Sequence, residues 1–247
     1  MDLGLRGRRA LVTAGSRGIG RAIAAELVAE GATVCISSRS PLEAASELGV
    51  AGVAFDSADV DGVPAFVEFV ESTLGGSLDV LVVNTGGPPT GPDPLGFPRS
   101  QWEDAYRSLV LTPMALVEAV VPGMRSRGFG RVVNVSSTSV REPLPALMLS
   151  NAHRAATLAA WKTLARDVAG DGVTINTLLP GRIATDRLAT NYGSLDAAEE
   201  AASGEVPAGR LGKPEEMAAA AAFLCSDRAA YIAGVALLVD GGMTRSI

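Results

Sequence analysis

The sequence predicts an α/β fold in which helices cover both faces of one doubly wound parallel sheet. Short apolar runs alternate with amphipathic helical stretches along all 247 residues. The runs are continuously apolar, as is typical of parallel strands that are covered on both faces. No internal repeat and no low-complexity linker divides the chain, so we expect a single domain over residues 1–247.

The predicted elements follow one another in a regular order. A first strand, a glycine-containing turn and a helix from about Gly18 to Ala29 open the chain; longer helices run from about Ser100 to Arg127 and from about Ser150 to Ala169. The Gly/Pro-rich segment 86–98 follows the fourth strand, where an open α/β sheet has its ligand crevice, so we expect a functional loop there. The predicted strands are Ala10–Thr13, Thr33–Ser37, Gly52–Phe55, Val80–Val83, Arg131–Val135, Val173–Asn176 and Val235–Val239.

The composition excludes several classes of protein. With 47% hydrophobic and 19% charged residues the chain is not disordered, and a net charge of −6 argues against nucleic-acid binding, which needs basic patches. No run of 18 apolar residues and no signal-like start is present, so we expect a cytoplasmic protein without a membrane span. Cys35 and Cys225 lie in apolar stretches and are expected to be core thiols. With His153 as the one histidine, no metal site is predicted.

A glycine cluster lies in the turn between the first strand and the first helix, residues 13–20. Gly15 and Gly18 can adopt a positive φ and let backbone amides approach a pyrophosphate, towards which the helix points its positive end. Gly20 permits close packing of the helix on the strand. A tight turn alone could also use these glycines, but the strand before and the helix after favour a dinucleotide site. The phosphate-binding residues predicted here are Gly15, Ser16, Arg17, Gly18 and Ile19.

The end of the second strand indicates which dinucleotide binds. An NAD site places a carboxylate about 20 residues past the glycines, on the ribose hydroxyls. Ser38 stands there instead, Arg39 follows it, and Arg17 lies in the turn. Guanidinium groups near the adenosine ribose suit a 2′-phosphate, because they form charge-assisted bidentate hydrogen bonds. We therefore predict NADP(H), against the alternative of two solvated surface arginines.

With these motifs, the whole chain resembles the short-chain dehydrogenase/reductase family, and within it the oxoacyl-carrier-protein-reductase-like members. Residues 13–20 resemble the cofactor turn of the family, with Ala14 and Gly15 transposed relative to the usual order. Residues 83–86, 180–185, 210–216 and 239–242 are similar to four further family motifs. The resemblance implies a Rossmann fold, a small-molecule substrate, and a homotetramer, with a dimer as second choice.

The same resemblance assigns further cofactor-binding residues. Asp56, after the third strand, matches the acidic residue that contacts the adenine amino group in the family. Asn84 and Gly86 match the segment beneath the cofactor. Thr185 matches the partner of the nicotinamide carboxamide, in a segment that also supplies Pro180, Gly181 and Ile183.

The catalytic positions depart from the family pattern of Asn, Ser, Tyr and Lys. Ser137 matches the serine, but Ser150 stands where the tyrosine is expected, Arg154 where the lysine is expected, and Leu109 at about the asparagine position. A serine hydroxyl is shorter and far less acidic than a phenol, whereas Arg154 stays protonated and can hold the nicotinamide ribose hydroxyls without shuttling protons. The cofactor-anchoring half of the site is thus predicted to be present and the usual proton-delivery half absent.

Two other side chains could substitute for the missing acid. Ser150, His153 and Arg154 are spaced to share one face of a helix, and an imidazolium could donate a proton in the physiological range. We favour a surface or interface role for His153, and simple packing against the next helix for Tyr106.

Three functions are compatible with these residues. The first is an NADP(H)-dependent oxidoreductase acting on a carbonyl or an alcohol, with an altered proton path through Ser137, Ser150 and water. The second is a non-redox NADP(H)-binding protein with a regulatory or scaffold role. The third keeps the cofactor but performs a dehydration or an isomerisation. We favour the first, with Ser137, Ser150 and Arg154 as catalytic residues and a variable substrate-side lid at about residues 187–207.

Overall fold

Seven parallel strands form one sheet in the computed structural model, which describes residues 2–246. The strand order is β3-β2-β1-β4-β5-β6-β7, so the chain winds outward in both directions from β1 and β4. The strands are β1 (Arg9–Thr13), β2 (Thr33–Ser38), β3 (Ala51–Ala54), β4 (Val80–Val83), β5 (Gly130–Val135), β6 (Val173–Pro180) and β7 (Ala236–Val239). The predicted doubly wound parallel sheet is confirmed, and a ligand crevice is expected where the winding reverses.

Helices connect the strands and cover both faces of the sheet. They are α1 (Gly18–Ala29), α2 (Leu42–Leu48), α3 (Val63–Thr73), α4 (Arg99–Tyr106), α5 (Thr112–Arg127), α6 (Met148–Val168), α7 (Asp186–Tyr192), α8 (Leu195–Glu205) and α9 (Pro214–Cys225). Between β4 and α4, residues 84–98 form neither helix nor strand. The predicted loop is therefore present at the carboxyl edge of the sheet.

Successive side chains of each strand point to opposite faces of the sheet, and this produces two hydrophobic cores, one on each face. Val12 packs with α1, α2 and α9 on one face of the sheet, whereas its neighbour Leu11 packs with α3, α5 and α6 on the other. Successive side chains of a strand point to opposite faces, so a strand between two helical layers must be apolar at every position. This explains why the strands read as unbroken apolar runs.

Both cysteines are buried core thiols, as predicted. Cys35 lies in β2 and Cys225 ends α9, and neither is in a disulfide. Burial raises the pKa of the Cys35 thiol to about 11 and that of Cys225 to about 12. The thiolate is the reactive form, so both residues are chemically quiet in the folded protein.

The strand β6 is longer than predicted, because its last four residues, Thr177–Pro180, pair with the whole of β7. The helix predicted over 100–127 is continuous but contains one π-helical turn, Arg107–Leu111, between α4 and α5. By length and composition this helical stretch of 29 residues could cross a membrane. Its apolar residues instead pack into the core beside β4 and β5, as in a core helix.

Candidate active site

The turn between β1 and α1 is fastened to the end of β4. The backbone N–H of Asn84 donates to Thr13 Oγ1 at 3.0 Å, and that hydroxyl donates to the Asn84 carbonyl at 2.7 Å. The Asn84 side chain donates from Nδ2 to the Ala14 carbonyl at 3.2 Å. These bonds fix the turn at the point where the sheet order reverses, and they use the Asn84 amide as a structural support.

The conformation of the turn corrects one sequence expectation. Ala14, and not Gly15, has the positive φ, at 45°. Gly15 is required for space instead, since a Cβ there would lie 2.9 Å from both Ile36 Cβ and the Val12 carbonyl oxygen. The transposed order of these two residues therefore places an alanine in the left-handed region, which favours glycine.

The amino terminus of α1 is open to an anion. Gly18 has a φ of +54° and begins the helix, and Arg17 at the N-cap makes no capping hydrogen bond with its side chain. No acidic residue lies in the first turn, so the first backbone N–H groups have no side-chain acceptor. Gly20 allows the close approach that was predicted, since a Cβ there would lie 2.6 Å from Asn84 Nδ2. Ser16 and Ile19 flank Arg17 and Gly18 in this turn.

Two exposed arginines border the end of β2. Ser38 is the last residue of that strand, and its hydroxyl accepts from the backbone N–H of Ser40 at 3.2 Å. Arg17 and Arg39 are both exposed, and within residues 2–246 neither forms an ion pair with a carboxylate. Asp56, just after β3, is exposed and accepts from the Ala58 N–H at 3.0 Å.

The segment after β6 lies against the turn between β1 and α1. Pro180 ends the strand, and Gly181 lets the chain pass β7 closely, because a Cβ there would lie 2.6 Å from Asp240 Cβ. Ile183 forms an isolated parallel bridge with Gly212.

Thr185 caps α7. Its hydroxyl accepts from the Leu188 N–H at 3.4 Å and lies 3.3 Å from the Ile183 carbonyl, and its methyl group faces Gly18. A Cβ on Gly86 would meet no atom within 4 Å, so open space lies beside the loop after β4.

Two of the three residues predicted to be catalytic are hydrogen-bonded to each other beside the end of β5, and the third, Ser137, follows that strand. Arg154 donates from Nε to Ser150 Oγ at 3.1 Å and from Nη1 to the Val135 carbonyl at 2.9 Å. Ser137 follows Val135 by two residues and accepts from the Ser139 N–H at 3.1 Å. Arg154 therefore ties the first turns of α6 to the strand end that carries Ser137.

Sequence reasoning missed a second arginine whose charge acts on Arg154. Arg187, in the first turn of α7, donates from Nη2 to the Pro88 carbonyl at 3.3 Å. Its guanidinium lies directly on Gly87, where any side chain would overlap it. Burial and the nearby Arg187 charge lower the pKa of Arg154 to about 10, and burial also lowers the pKa of Arg187. The sequence signal for this residue is its place two residues after Thr185, at the start of the predicted lid region 187–207.

His153 does not join Ser150 and Arg154. A surface or interface position was expected, but His153 is buried within the chain, and its Nδ1 donates to the Leu149 carbonyl at 2.7 Å. Its ring packs against Trp102 and Tyr106 of α4, with centroids 5.4 Å and 6.1 Å away. The packing of α4 on α6 explains the difference, and it confirms the packing role expected for Tyr106.

Leu109 is buried in the π-helical turn, and its carbonyl accepts from the Thr157 hydroxyl at 2.5 Å. Within residues 2–246, no group of three or more His, Cys, Asp or Glu side chains is placed to hold a metal ion.

Comparison with known proteins identifies the family. The profile of the family described as enoyl-(acyl carrier protein) reductase matches residues 13–244. The 3-oxoacyl-[acyl-carrier-protein] reductase FabG of Vibrio harveyi is 38% identical over 250 residues, which covers 98% of this chain and 99% of the relative. The bovine dehydrogenase/reductase SDR family member 4 is 34% identical and covers 94% of this chain and 86% of the relative.

Solved structures agree with these relatives. L-sorbose reductase from Gluconobacter frateurii, solved with NADPH and L-sorbose, superimposes with a TM-score of 0.90 at 34% identity, over the full length of both chains. A 3-oxoacyl (acyl-carrier-protein) reductase from Agrobacterium tumefaciens C58, solved with NADP, gives 0.91 at 30% identity and covers 98% of this chain and 96% of the other. The chain belongs to the short-chain dehydrogenase/reductase family, among the members that resemble 3-oxoacyl-[acyl-carrier-protein] reductases.

Proposed function

We propose that the protein is an NADP(H)-dependent oxidoreductase acting on the carbonyl or alcohol of a small molecule, similar to a 3-oxoacyl reductase but with an altered proton path. The observation that carries this proposal is the open amino terminus of α1 beside two exposed arginines, Arg17 and Arg39, that form no ion pair within residues 2–246. Relatives solved with NADP or NADPH support the choice of coenzyme.

The chain's residues fit this coenzyme. The turn from Gly15 through Ser16 and Arg17 to Gly18 and Ile19 leads into the uncapped amino terminus of α1, which suits a pyrophosphate, whereas the Gly15 N–H itself is bound to the Ser37 carbonyl. Arg17 and Arg39, with the Ser38 hydroxyl, suit a 2′-phosphate, because no carboxylate ends β2.

The remaining coenzyme contacts are assigned along the carboxyl edge of the sheet. Asp56 would hold the adenine amino group, and Arg154 the nicotinamide ribose. Asn84 and Gly86 would lie beneath the coenzyme, and Pro180, Gly181, Ile183 and Thr185 would surround the nicotinamide.

When bound, NADPH supplies a hydride to the substrate carbonyl, and the chain must then stabilise or protonate the resulting oxygen. Ser150 can donate its O–H there, because its oxygen already accepts from Arg154. Ser137 adds a second hydroxyl at the end of β5. Neither serine is acidic enough to replace a phenol, so the proton itself would come from water.

A catalytically silent or non-redox protein is the alternative, covering regulatory, scaffold, dehydratase and isomerase roles. The direct bond between Arg154 and Ser150 favours it, because this pair could bind a coenzyme ribose but offers no strong acid. Steady-state and stopped-flow NADPH oxidation with β-ketoesters and quinones separates the two. Oxidation with any of them supports the oxidoreductase, whereas tight NADPH binding without turnover of the whole panel supports the silent protein.

For the assembly we propose a cytoplasmic homotetramer, with a dimer as second choice. Large apolar side chains are exposed beside the sheet edge formed by β7, namely Tyr231, Leu237 and Phe223. Tyr106 is also exposed on α4. Light scattering after size-exclusion chromatography should give the mass of four chains, and a monomer would overturn the proposal.

A further inference from the structure

A guanidinium group bridges the two sides of the crevice at the carboxyl edge of the sheet. Arg187 extends from the first turn of α7 to the loop after β4, a separation of 99 residues in the sequence, and donates to the Pro88 carbonyl at 3.3 Å. Gly87 supplies the flat backbone on which the guanidinium lies, since any side chain there would overlap it. The contact is therefore built by two particular residues, one on each side.

A second guanidinium, that of Arg154, lies near this contact, because Arg154 is bound to the Val135 carbonyl at the end of β5, and β5 pairs with β4, which leads into the same loop. Arg187 is close enough to Arg154 to lower the pKa of that residue. Within the described residues 2–246, neither arginine forms an ion pair with a carboxylate. Arg154 donates from Nε to Ser150 and from Nη1 to the Val135 carbonyl. Arg187 donates from Nη2 to the Pro88 carbonyl. Two neighbouring cations without a counter-charge repel each other, and an anion between them removes that cost.

We propose that Arg187, assisted by Arg154, binds a carboxylate of the substrate, so that the protein acts on oxo acids or hydroxy acids. This inference rests on the proposed oxidoreductase function and names the substrate class for the same site. A carboxylate matches the planar fork of a guanidinium with two parallel hydrogen bonds. Arg154 also touches Ser150, so a carboxylate held by both arginines brings the rest of the substrate beside the proposed catalytic serines.

A phosphate of the coenzyme is the other anion that could approach Arg187. The pyrophosphate and the 2′-phosphate, however, have their own proposed partners at Gly15–Ile19 and at Arg39. Arg187 instead lies on the loop after β4, and its charge lowers the pKa of Arg154, which is hydrogen-bonded to Ser150 of α6. The position thus favours the reacting end of the crevice, and the experiment separates the two sources.

The test compares matched acids and esters on the protein saturated with NADP⁺. Calorimetry with pyruvate against methyl pyruvate, and with levulinate against methyl levulinate, measures affinity without turnover, and the same pairs give KM with NADPH. Of pyruvate and levulinate, we expect the one that binds more tightly to bind about 10- to 100-fold more tightly than its methyl ester. This ratio corresponds to the free energy of one charge-assisted hydrogen bond. Arg187→Gln should abolish this preference and leave the NADPH affinity within about twofold of wild type.

Arg166→Gln is the matched control, because it removes the same charge from an exposed site on α6, about 18 Å along the helix from Arg154. It should keep the preference for acids. If the wild-type protein binds acid and ester equally in both the pyruvate and the levulinate pair, the inference is overturned. It is also overturned if Arg187→Gln loses affinity for NADPH but keeps the preference for acids. A preference for acids without any NADPH oxidation would support the carboxylate site. It would contradict only the proposed oxidoreductase function.

Discussion

Arg154 and Ser150, one helical turn apart on α6, are joined by a hydrogen bond of 3.1 Å from Nε to Oγ. The guanidinium has no acceptor capacity, so it can only donate in this pair. The serine oxygen therefore accepts, and the serine O–H is left to point at another group. A residue that is too weak an acid to give up its proton is in this way prepared to donate a hydrogen bond to a negatively charged substrate oxygen.

Replacing Ser150 by alanine tests that role. We expect Ser150→Ala to lower kcat about 10- to 100-fold, because one hydrogen bond to a developing charge is lost. The Kd for NADPH, measured by fluorescence, should change less than about twofold, because Arg154 keeps its bond to Val135. Thr163→Ala removes an exposed hydroxyl from the same helix and should change neither value. An unchanged kcat in Ser150→Ala would exclude the serine from the reaction.

Arg39 should discriminate between the two nicotinamide coenzymes. Arg39→Ala is expected to weaken NADPH binding about 10- to 100-fold, since a charge-assisted bond to the 2′-phosphate is lost, and to leave NADH nearly unchanged. Calorimetry with both coenzymes measures the ratio, and Arg166→Ala controls for the change in net charge. Equal weakening of the two coenzymes would contradict the proposed 2′-phosphate site.

Ala14 carries a local cost that glycine should remove. Its φ of 45° lies in the left-handed region, where a side chain destabilises the fold by about 1–2 kcal/mol. Glycine relieves this strain but loses more conformational entropy on folding, which offsets about 0.5–1 kcal/mol of the gain. Ala14→Gly should therefore raise the free energy of unfolding by about 0.5–1 kcal/mol, and the melting temperature by about 1–4 °C. Gly15→Ala should lower it, because its Cβ would meet Ile36 and Val12. A lower melting temperature for Ala14→Gly would show that the alanine is not strained.

The two cysteines should report on unfolding. Burial raises the pKa of Cys35 to about 11 and that of Cys225 to about 12, so at pH 8 the thiolate population of Cys35 is roughly 100-fold below that of an exposed cysteine. Labelling with an aromatic disulfide should be slow in buffer and fast in denaturing urea, with two thiols modified per chain. Rapid native labelling of either residue would contradict the packing of the core.

Local sequence predicted those parts of the molecule that local chemistry determines. The strand–turn–helix at Thr13–Gly20 and the end of β4 at Val83 were predicted, and the end of β2 to within one residue, because apolar runs and glycine spacing are properties of neighbouring residues. The same reasoning predicted one helix from α4 to α5 but not its π-helical turn. That turn surrounds Leu109, whose carbonyl is held by Thr157 from another helix.

The features that sequence reasoning missed depend on contacts between distant segments. His153 was expected at the surface or at an interface, but Trp102 and Tyr106 of α4 pack against its ring within the chain. Gly15 was assigned a special φ, yet its requirement is set by Ile36 on the neighbouring strand. The contact of Arg187 with Gly87 is visible only in the fold, because no spacing in the sequence indicates it.

The open turn of α1 and the arginines Arg17 and Arg39 are proposed to hold a 2′-phosphorylated dinucleotide. Isothermal titration of the wild-type protein with NADPH and with NADH, in the same buffer at low salt, tests this proposal most directly. We predict that NADPH binds about 100-fold or more tightly than NADH, from two charge-assisted contacts at Arg17 and Arg39. Equal affinities, or no heat with either coenzyme, would contradict the account.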